Sequence, residues 1–397
     1  MQEQSVETLY KTMTNEAAYW IALAHLPKWG YLKINNLIIK FFHENRISII
    51  DFFGLSESNW KNIYQLDEKQ ISDLNQAKSE LASNAFFAES FLNQGFELIP
   101  ITSPEYSKTL KTNLKATYSP PVLYIKGNKK IMQEQSIAIV GSRAASEVAL
   151  NFTDNVAKNA SKECKVVVSG FAKGVDKQAL DSAIKYRGQS IIVLPQGIMT
   201  FASGFKTYYK QIIDGDVLVL STFPPKAGWS TGLAMARNPI IYGLADEIYV
   251  AESSEKGGTW SGVIDGIRKG RKIYVRRPEP TEKNANNILI QKGAVPVDFN
   301  GKEVEKTYNI TLSNQISVVQ ESNNESENLD NKIRSAFNER PLTVEELLTK
   351  LNLTWTTQKL NTYLKKLDFV ENVRKGRTSF YKLKGETKQE KQGEFSF

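Results

Sequence analysis

The chain has 397 residues and carries 51 lysines and arginines against 43 aspartates and glutamates, a formal net charge of +8. At about 150 residues per domain this length suggests two or three domains, and a 41% hydrophobic share builds sizeable cores and excludes a disordered chain. A single cysteine, Cys164, excludes an intramolecular disulfide framework and a thiolate zinc site. The two histidines, His25 and His43, both lie far in sequence from any glycine-rich loop, so neither a histidine metal site nor a Ser-His triad is expected. No apolar run approaches the roughly 18 residues of a membrane span. The N-terminus, MQEQSVETLYK, lacks the basic-then-apolar layout of a leader. The expectation is a soluble, cytoplasmic protein with no cofactor, whose basic balance mildly favours polyanions.

Residues 1–94 read as helical. Ala17, Trp20, Ile21 and Ala24 share one helical face, and Leu37, Ile38, Phe41 and Phe42 follow. Pro27-Lys28-Trp29-Gly30 is a tight helix-to-helix turn. Such turns can meet a nucleic-acid backbone, but a plain helical bundle is the preferred reading. Residues 95–135 form a connector with a short strand after Pro120-Pro121. Residues 136–300 hold six short apolar runs, beginning at Ile137, Val166, Ile191, Val217, Ile248 and Ile273. Helical patterns separate them. Runs apolar on both faces that alternate with helices predict an α/β fold, a doubly wound and mostly parallel sheet. Residues 301–328 are rich in Ser, Asn, Gln and Glu and suit a linker. In 329–383, three helical patterns precede two strands around the basic tip Arg374-Lys-Gly-Arg377, a winged-helix layout. Thr343 and Glu346 form a capping box there. The charged tail 384–397 reads as disordered.

In a doubly wound sheet, ligands sit beyond the carboxyl ends of the strands. The first turn reads Gly141-Ser142-Arg143, a close-approach glycine with a hydroxyl and a guanidinium suited to phosphate. It is not GxGxxG, and no acidic residue is placed for a ribose, so a nicotinamide dinucleotide is a poor fit. The second turn holds Ser169, Gly170, Lys173, Gly174 and Asp176, the last read as a helix N-cap. Later turns add Lys206, Arg237, Asn238 and Lys256. Interleaved aromatics are Phe171, Phe201, Tyr209 and Trp260, of which about half are expected in the core. Cations along a backbone with rings for bases are what single-stranded nucleic acid requires.

These turns resemble the DprA (Smf) family. The carrying segments are IAIVGSRAAS (137–146), VVSGFAKGVDKQAL (167–180), IIVLPQG (191–197), STFPP (221–225) and RNPIIYGLAD (237–246). The connector 104–128, a helix-hairpin-helix-like start and the C-terminal winged helix extend the resemblance over nearly the whole chain. What it implies is a Rossmann-like domain that binds single-stranded DNA in a basic pocket, dimerises, and loads the RecA recombinase in transformation or repair. Arg143, Lys173, Arg237 and Asn238 map onto that pocket. Lys173 stands where arginine is common, and Pro239 where a second arginine is frequent. An alternative is a DprA-like member of a phage-defence pair with a phosphoribosyltransferase-like toxin partner.

An enzymatic alternative is a phosphoribohydrolase. That chemistry needs a glutamate three residues after the Gly-Thr pair, and Gly262 stands there. The chain is therefore expected not to be an enzyme. A third alternative is a regulator whose winged helix binds duplex DNA while the Rossmann-like domain senses a nucleotide.

Overall fold

The computed structural model describes residues 16–305 and 329–384, apart from 338, 339, 354, 366, 368, 376 and 377. Its contacts divide the chain into two units, Met1–Lys306 and Thr307–Phe397. Among the described residues no helix is long and apolar enough to cross a membrane.

The first unit opens with six helices: α1 (16–24), α2 (Tyr31–Ile38, continuing as a π-helix over Ile39–Glu44), α3 (Ile49–Gly54), α4 (Glu57–Asn62), α5 (Glu68–Ser79) and α6 (Leu81–Asn93). Short polar residues start three of them. Ser48, Ser56 and Asp67 each accept a backbone N–H of the first turn, which satisfies a donor that the helix itself leaves free. The turn at 27–30 is present: Lys28 takes a positive φ of 65°, and buried Trp29 donates its indole N–H to Asp73 at 2.9 Å. His25 shares a 2.8 Å hydrogen bond with the Tyr124 hydroxyl. Burial holds its pKa down to about 4, so this imidazole is neutral at physiological pH.

The segment read as a connector joins the main sheet. Strands β1 (Glu97–Pro100) and β2 (Val122–Lys126) flank α7 (Lys108–Leu114) and pair antiparallel with each other. Then come β3 (Ser136–Val140), α8 (Glu147–Lys162), β4 (Val166–Ser169), α9 (Val175–Lys185), β5 (Ser190–Val193), α10 (Ala202–Thr207), α11 (Tyr209–Ile213) and β6 (Val217–Ser221). The remainder is α12 (Thr231–Leu244), β7 (Glu247–Val250), α13 (Gly257–Arg268), β8 (Ile273–Arg276), α14 (Asn286–Gln291) and β9 (Val295–Val297).

The sheet order is β1-β2-β6-β5-β4-β3-β7-β8-β9. From β6 to β9 every neighbouring pair is parallel, and β2 pairs antiparallel with β6. The chain steps outward from β3 to β6, then returns through α12 to place β7 on the other side of β3. This reversal opens a crevice at the carboxyl ends of β3 and β7. One face of the sheet packs on α8 and α9 through Phe152, Val156 and Ala179. The other face shares a continuous core with α12 and the N-terminal helices, from Trp20 and Phe52 through Phe91 and Tyr124 to Ile191, Leu218 and Ile240. Residues 301–305 still attach to the sheet, because Glu303 bridges antiparallel to Val297.

In the second unit, α15 (329–336), α16 (Val344–Lys350) and α17 (Thr357–Leu364) precede the antiparallel pair β10 (Val370–Lys375) and β11 (Thr378–Leu383). Ile333, Leu347, Leu360, Leu364 and Tyr381 form its core. The capping box of Thr343 with Glu346 is present. The tip residues Gly376 and Arg377, most of the expected linker and all but Lys384 of the expected tail lie outside the described residues.

Candidate nucleic-acid interface

A cleft of about 460 Å³ lies at the crevice between the β3 and β7 turns. Three short contacts knit its rim. The Ser142 N–H donates to the Glu252 carbonyl at 2.9 Å. The Thr259 hydroxyl donates to the Gly141 carbonyl at 3.1 Å. The Ser146 hydroxyl donates to the Glu252 carboxylate at 2.5 Å, while the same oxygen caps α8. Gly141 is required by proximity, since a Cβ there would lie 2.6 Å from Cγ2 of Val175. From the neighbouring turn, the Val175 N–H donates to the Ser142 carbonyl at 3.2 Å.

Arg143 stands exposed on this rim. Arg237 also lines the cleft but is only 3% exposed. Its Nη1 donates to the Val193 carbonyl at 2.9 Å, and among the described residues its Nε has no acceptor. The guanidinium lies against Gly170, where a Cβ would come 1.6 Å from Nη1. Buried Asp176 is its counter-charge. Burial pushes the Asp176 carboxyl above the usual carboxylate range, opposed by Arg237 and by hydrogen bonds to the backbones of Ala172 and Gly170. Burial likewise lowers Arg237, opposed by Asp176. Desolvation therefore outweighs attraction on both sides of the pair, as is common for buried ions. Asp176 is not the N-cap expected from sequence. Gly174 occupies that position, and the carboxylate folds back onto its own turn.

The far wall is the start of α13. Lys256 precedes it in extended conformation, and the helix opens with Gly257 at φ +89°. Gly257, Gly258 and Thr259 line the cleft. The first N–H groups of a helix have no intrahelical acceptor and sit at its positive end, which favours an anion.

Of the residues singled out from sequence, Gly141, Ser142, Arg143, Arg237, Asn238 and Lys256 meet in this cleft. Asp176 lines it too; the others do not. Ser169 is buried, and its hydroxyl donates to the Ile139 carbonyl at 2.7 Å, so its place is in the framework. Gly170 and Gly174 act by close approach to Arg237 and to the Ser142 carbonyl. Lys173 and Lys206 are exposed but stand off the cleft. Among the aromatics, Phe201 is buried and packs edge-on against half-buried Phe171 at 4.9 Å. Trp260 is half-buried on the core, and Tyr209 is exposed. Sequence reasoning missed Glu252 and Thr259 as ties. The position of Glu252, two residues after β7, was the available signal.

A second layer pins the β7 turn. Arg276, 2% exposed, donates Nε to the Ala251 carbonyl at 3.0 Å and forks onto Glu282 at 2.8 and 2.5 Å. Asn286 accepts the Ser253 N–H at 3.0 Å. The Arg276 hydrogen bonds, first among causes, hold Glu282 below the usual glutamate range. A depressed carboxylate stabilises the fold above its unfolded pKa of about 4.3, and that contribution is lost as pH falls through the folded value. Glu282→Gln is therefore expected to cost about 1.5–3 kcal/mol near neutral pH. In urea titrations at several pH values, its deficit against the unmutated protein should shrink below about pH 4.3. A deficit independent of pH would contradict this assignment.

The sequence profile of the DNA recombination-mediator protein A family matches residues 97–309, more than half of the chain. The chain belongs to this family. It is 29% identical over 216 residues to the DNA processing protein DprA of Bacillus subtilis, covering 52% of this chain and 69% of that one. It is 32% identical over 163 residues to DprA of Streptococcus pneumoniae, covering 41% of this chain and 57% of that one. The X-ray structure of the pneumococcal protein superimposes with a TM-score of 0.52 at 24% identity, covering 71% of this chain and 94% of that one. That likeness shows a shared fold, the α/β architecture with a large, mostly parallel sheet.

Proposed function

We propose that this chain binds single-stranded DNA in the cleft between the β3 and β7 turns, as a homodimer, and assists a RecA-type recombinase without itself catalysing a reaction. The supporting observation is the convergence of Arg143, Lys256, buried Arg237 and the α13 N-terminus on one cleft. A binding role is also favoured at Gly262. A Cβ there would lie 2.6 Å from the Tyr242 ring, so this position leaves no room for the glutamate of a phosphoribohydrolase.

Strand binding should be sequence-tolerant and salt-dependent. Neutralising about 4–6 phosphates gives a slope of log K against log salt of roughly −3 to −4. Arg143→Ala removes a charge-assisted contact of about 1.5–3 kcal/mol, about tenfold or more in affinity. Because Arg143 is exposed, stability should stay within about 0.5 kcal/mol. Arg374→Ala, in the second unit, is the control. Fluorescence anisotropy with labelled oligonucleotides decides the matter. If Arg143→Ala binds like the unmutated protein while Arg374→Ala fails, the cleft is not the site. Recombinase assistance is tested by filament formation on strands coated with single-strand-binding protein.

A further inference from the structure

A cavity of about 350 Å³ lies along β1, where the sheet ends. It is apart from the basic cleft: the two share no lining residue, and four strands stand between β1 and β3. Trp20, Phe42, Ile49, Leu92 and Leu98 give it apolar walls. Glu16, Glu97 and Glu105 line it with one lysine, Lys129, which meets Glu97 at 2.8 Å and Glu105 at 2.9 Å. The groove therefore keeps an excess of carboxylate on a chain whose net charge is +8. The backbone of β1 is also open there. Ile101 donates its N–H to the Pro121 carbonyl at 2.8 Å. Pairs in an antiparallel ladder alternate between bonded and unbonded, so Glu97 and Ile99 turn their backbone to β2 while Leu98 and Pro100 turn theirs outwards. Pro100 has no N–H to lose at such an edge, and its carbonyl accepts the Ser103 N–H at 2.9 Å. Leu98 is left with one donor and one acceptor aimed out of the sheet, and among the described residues no strand pairs with that side.

We propose that this groove docks an extended segment of a partner protein, in which basic and apolar residues alternate and which pairs antiparallel with β1. The inference stands independently of strand binding at the cleft. Three features fix the chemistry of the occupant. The carboxylates repel a nucleic acid and attract lysine or arginine. The apolar walls take aliphatic side chains. The outward Leu98 groups call for a peptide backbone, as in other cases where a segment adds to a sheet edge. Alternation follows from the pleat. A residue opposite Leu98 sends its side chain to the Leu98 face, and its neighbours send theirs to the face that carries Glu97. Because Leu98 alone offers both groups, the pairing sets register, and the groove and its charges supply the affinity.

The probe is a fluorescein-labelled heptapeptide, Lys-Val-Lys-Leu-Lys-Val-Lys, titrated with the full chain and read by anisotropy. It should bind, and a peptide with glutamate in place of each lysine should bind roughly tenfold more weakly or worse. N-methylation of the three apolar residues, whose N–H groups face β1 in this pairing, should abolish binding. N-methylation of the lysines between them should not. Glu16→Lys combined with Glu105→Lys reverses two charges of the groove outside the core. It should weaken the peptide roughly tenfold and leave the thermal midpoint nearly unchanged. No binding at millimolar peptide, equal binding of the basic and acidic peptides, or binding untouched by the double variant or by N-methylation of the apolar residues overturns the proposal. So does self-association in sedimentation that the double variant abolishes, since the groove would then hold a second copy of the chain.

Discussion

Replacing Arg237 with alanine is expected to destabilise the first unit by about 3–5 kcal/mol, the cost of leaving a buried charge without the nearby opposite charge that offsets its desolvation. The substitution strips the Val193 carbonyl of its donor and leaves Asp176 buried without its cation. The void beneath Gly170 adds to this, because Gly170 and the guanidinium are in direct contact. Urea denaturation at neutral pH measures the loss. The sign of its pH dependence follows from Asp176, whose folded pKa is already raised by burial. A raised carboxyl favours the protonated native state. Its stabilising effect is complete below the unfolded value of about 3.9 and is lost as pH rises through the folded value. Arg237→Ala removes the charge that opposes this shift, so acidification should narrow the gap between variant and parent. Asp176→Asn in the Arg237→Ala background should recover part of the loss, as residues of one network do not add. A variant that unfolds at the parent's midpoint would show that the pair is hydrated rather than buried. Strand binding separates the two arginines: Arg143→Ala weakens it in a fully stable protein, whereas Arg237→Ala weakens it by loosening the floor of the cleft.

That contrast marks the limit of what sequence showed. Arg143 and Arg237 were both read as turn cations, yet only Arg143 stands in a turn, whereas Arg237 and Asn238 lie inside α12. Only the packing of Gly170 against Arg237 decides that one is a rim cation and the other a floor cation. The strands from β3 to β8 were legible because parallel strands covered on both faces leave continuous apolar runs. β9 was not, since three residues, Val295–Val297 with Pro296 between, make no pattern. The strand near Val122 was legible, but its antiparallel pairing with β6 was not, because a long stretch of chain separates the partners. The rim was legible as a set of turns, because topology alone puts them at one end of the sheet. The structure does not bring Lys173 and Lys206 to it: both are exposed outside the cleft lining. A cation near a strand end need not face the cleft, and Lys206 lies within helix α10, between β5 and β6 and away from the reversal. Ser169 departs from expectation for a different reason: a hydroxyl next to a glycine invites a phosphate reading, yet it is buried and satisfies a strand carbonyl instead.

Gly174→Ala is expected to cost about 2–6 kcal/mol and to weaken strand binding in the same protein. The backbone at Gly174 has φ +85° and ψ −130°, a region that residues with a Cβ rarely enter. Holding alanine there costs about 1–3 kcal/mol. Crowding adds about 1–3 kcal/mol, because the new Cβ would lie 2.4 Å from the Ser142 carbonyl and 2.7 Å from that of Arg143. Neither oxygen belongs to a flexible side chain, so the β3 turn must move or α9 must withdraw. Both movements break the hydrogen bond from the Val175 N–H to the Ser142 carbonyl and carry Arg143 away from the α13 N-terminus. Affinity should therefore fall even at temperatures where the variant remains folded. Arg143→Ala introduced into Gly174→Ala should then cost less than it does alone, since its contact is already weakened. Thermal denaturation, with anisotropy well below the variant's midpoint, measures the two effects separately. Full additivity in binding would mean that the Arg143 turn keeps its place without Gly174, and that the close approach of the two turns serves stability alone.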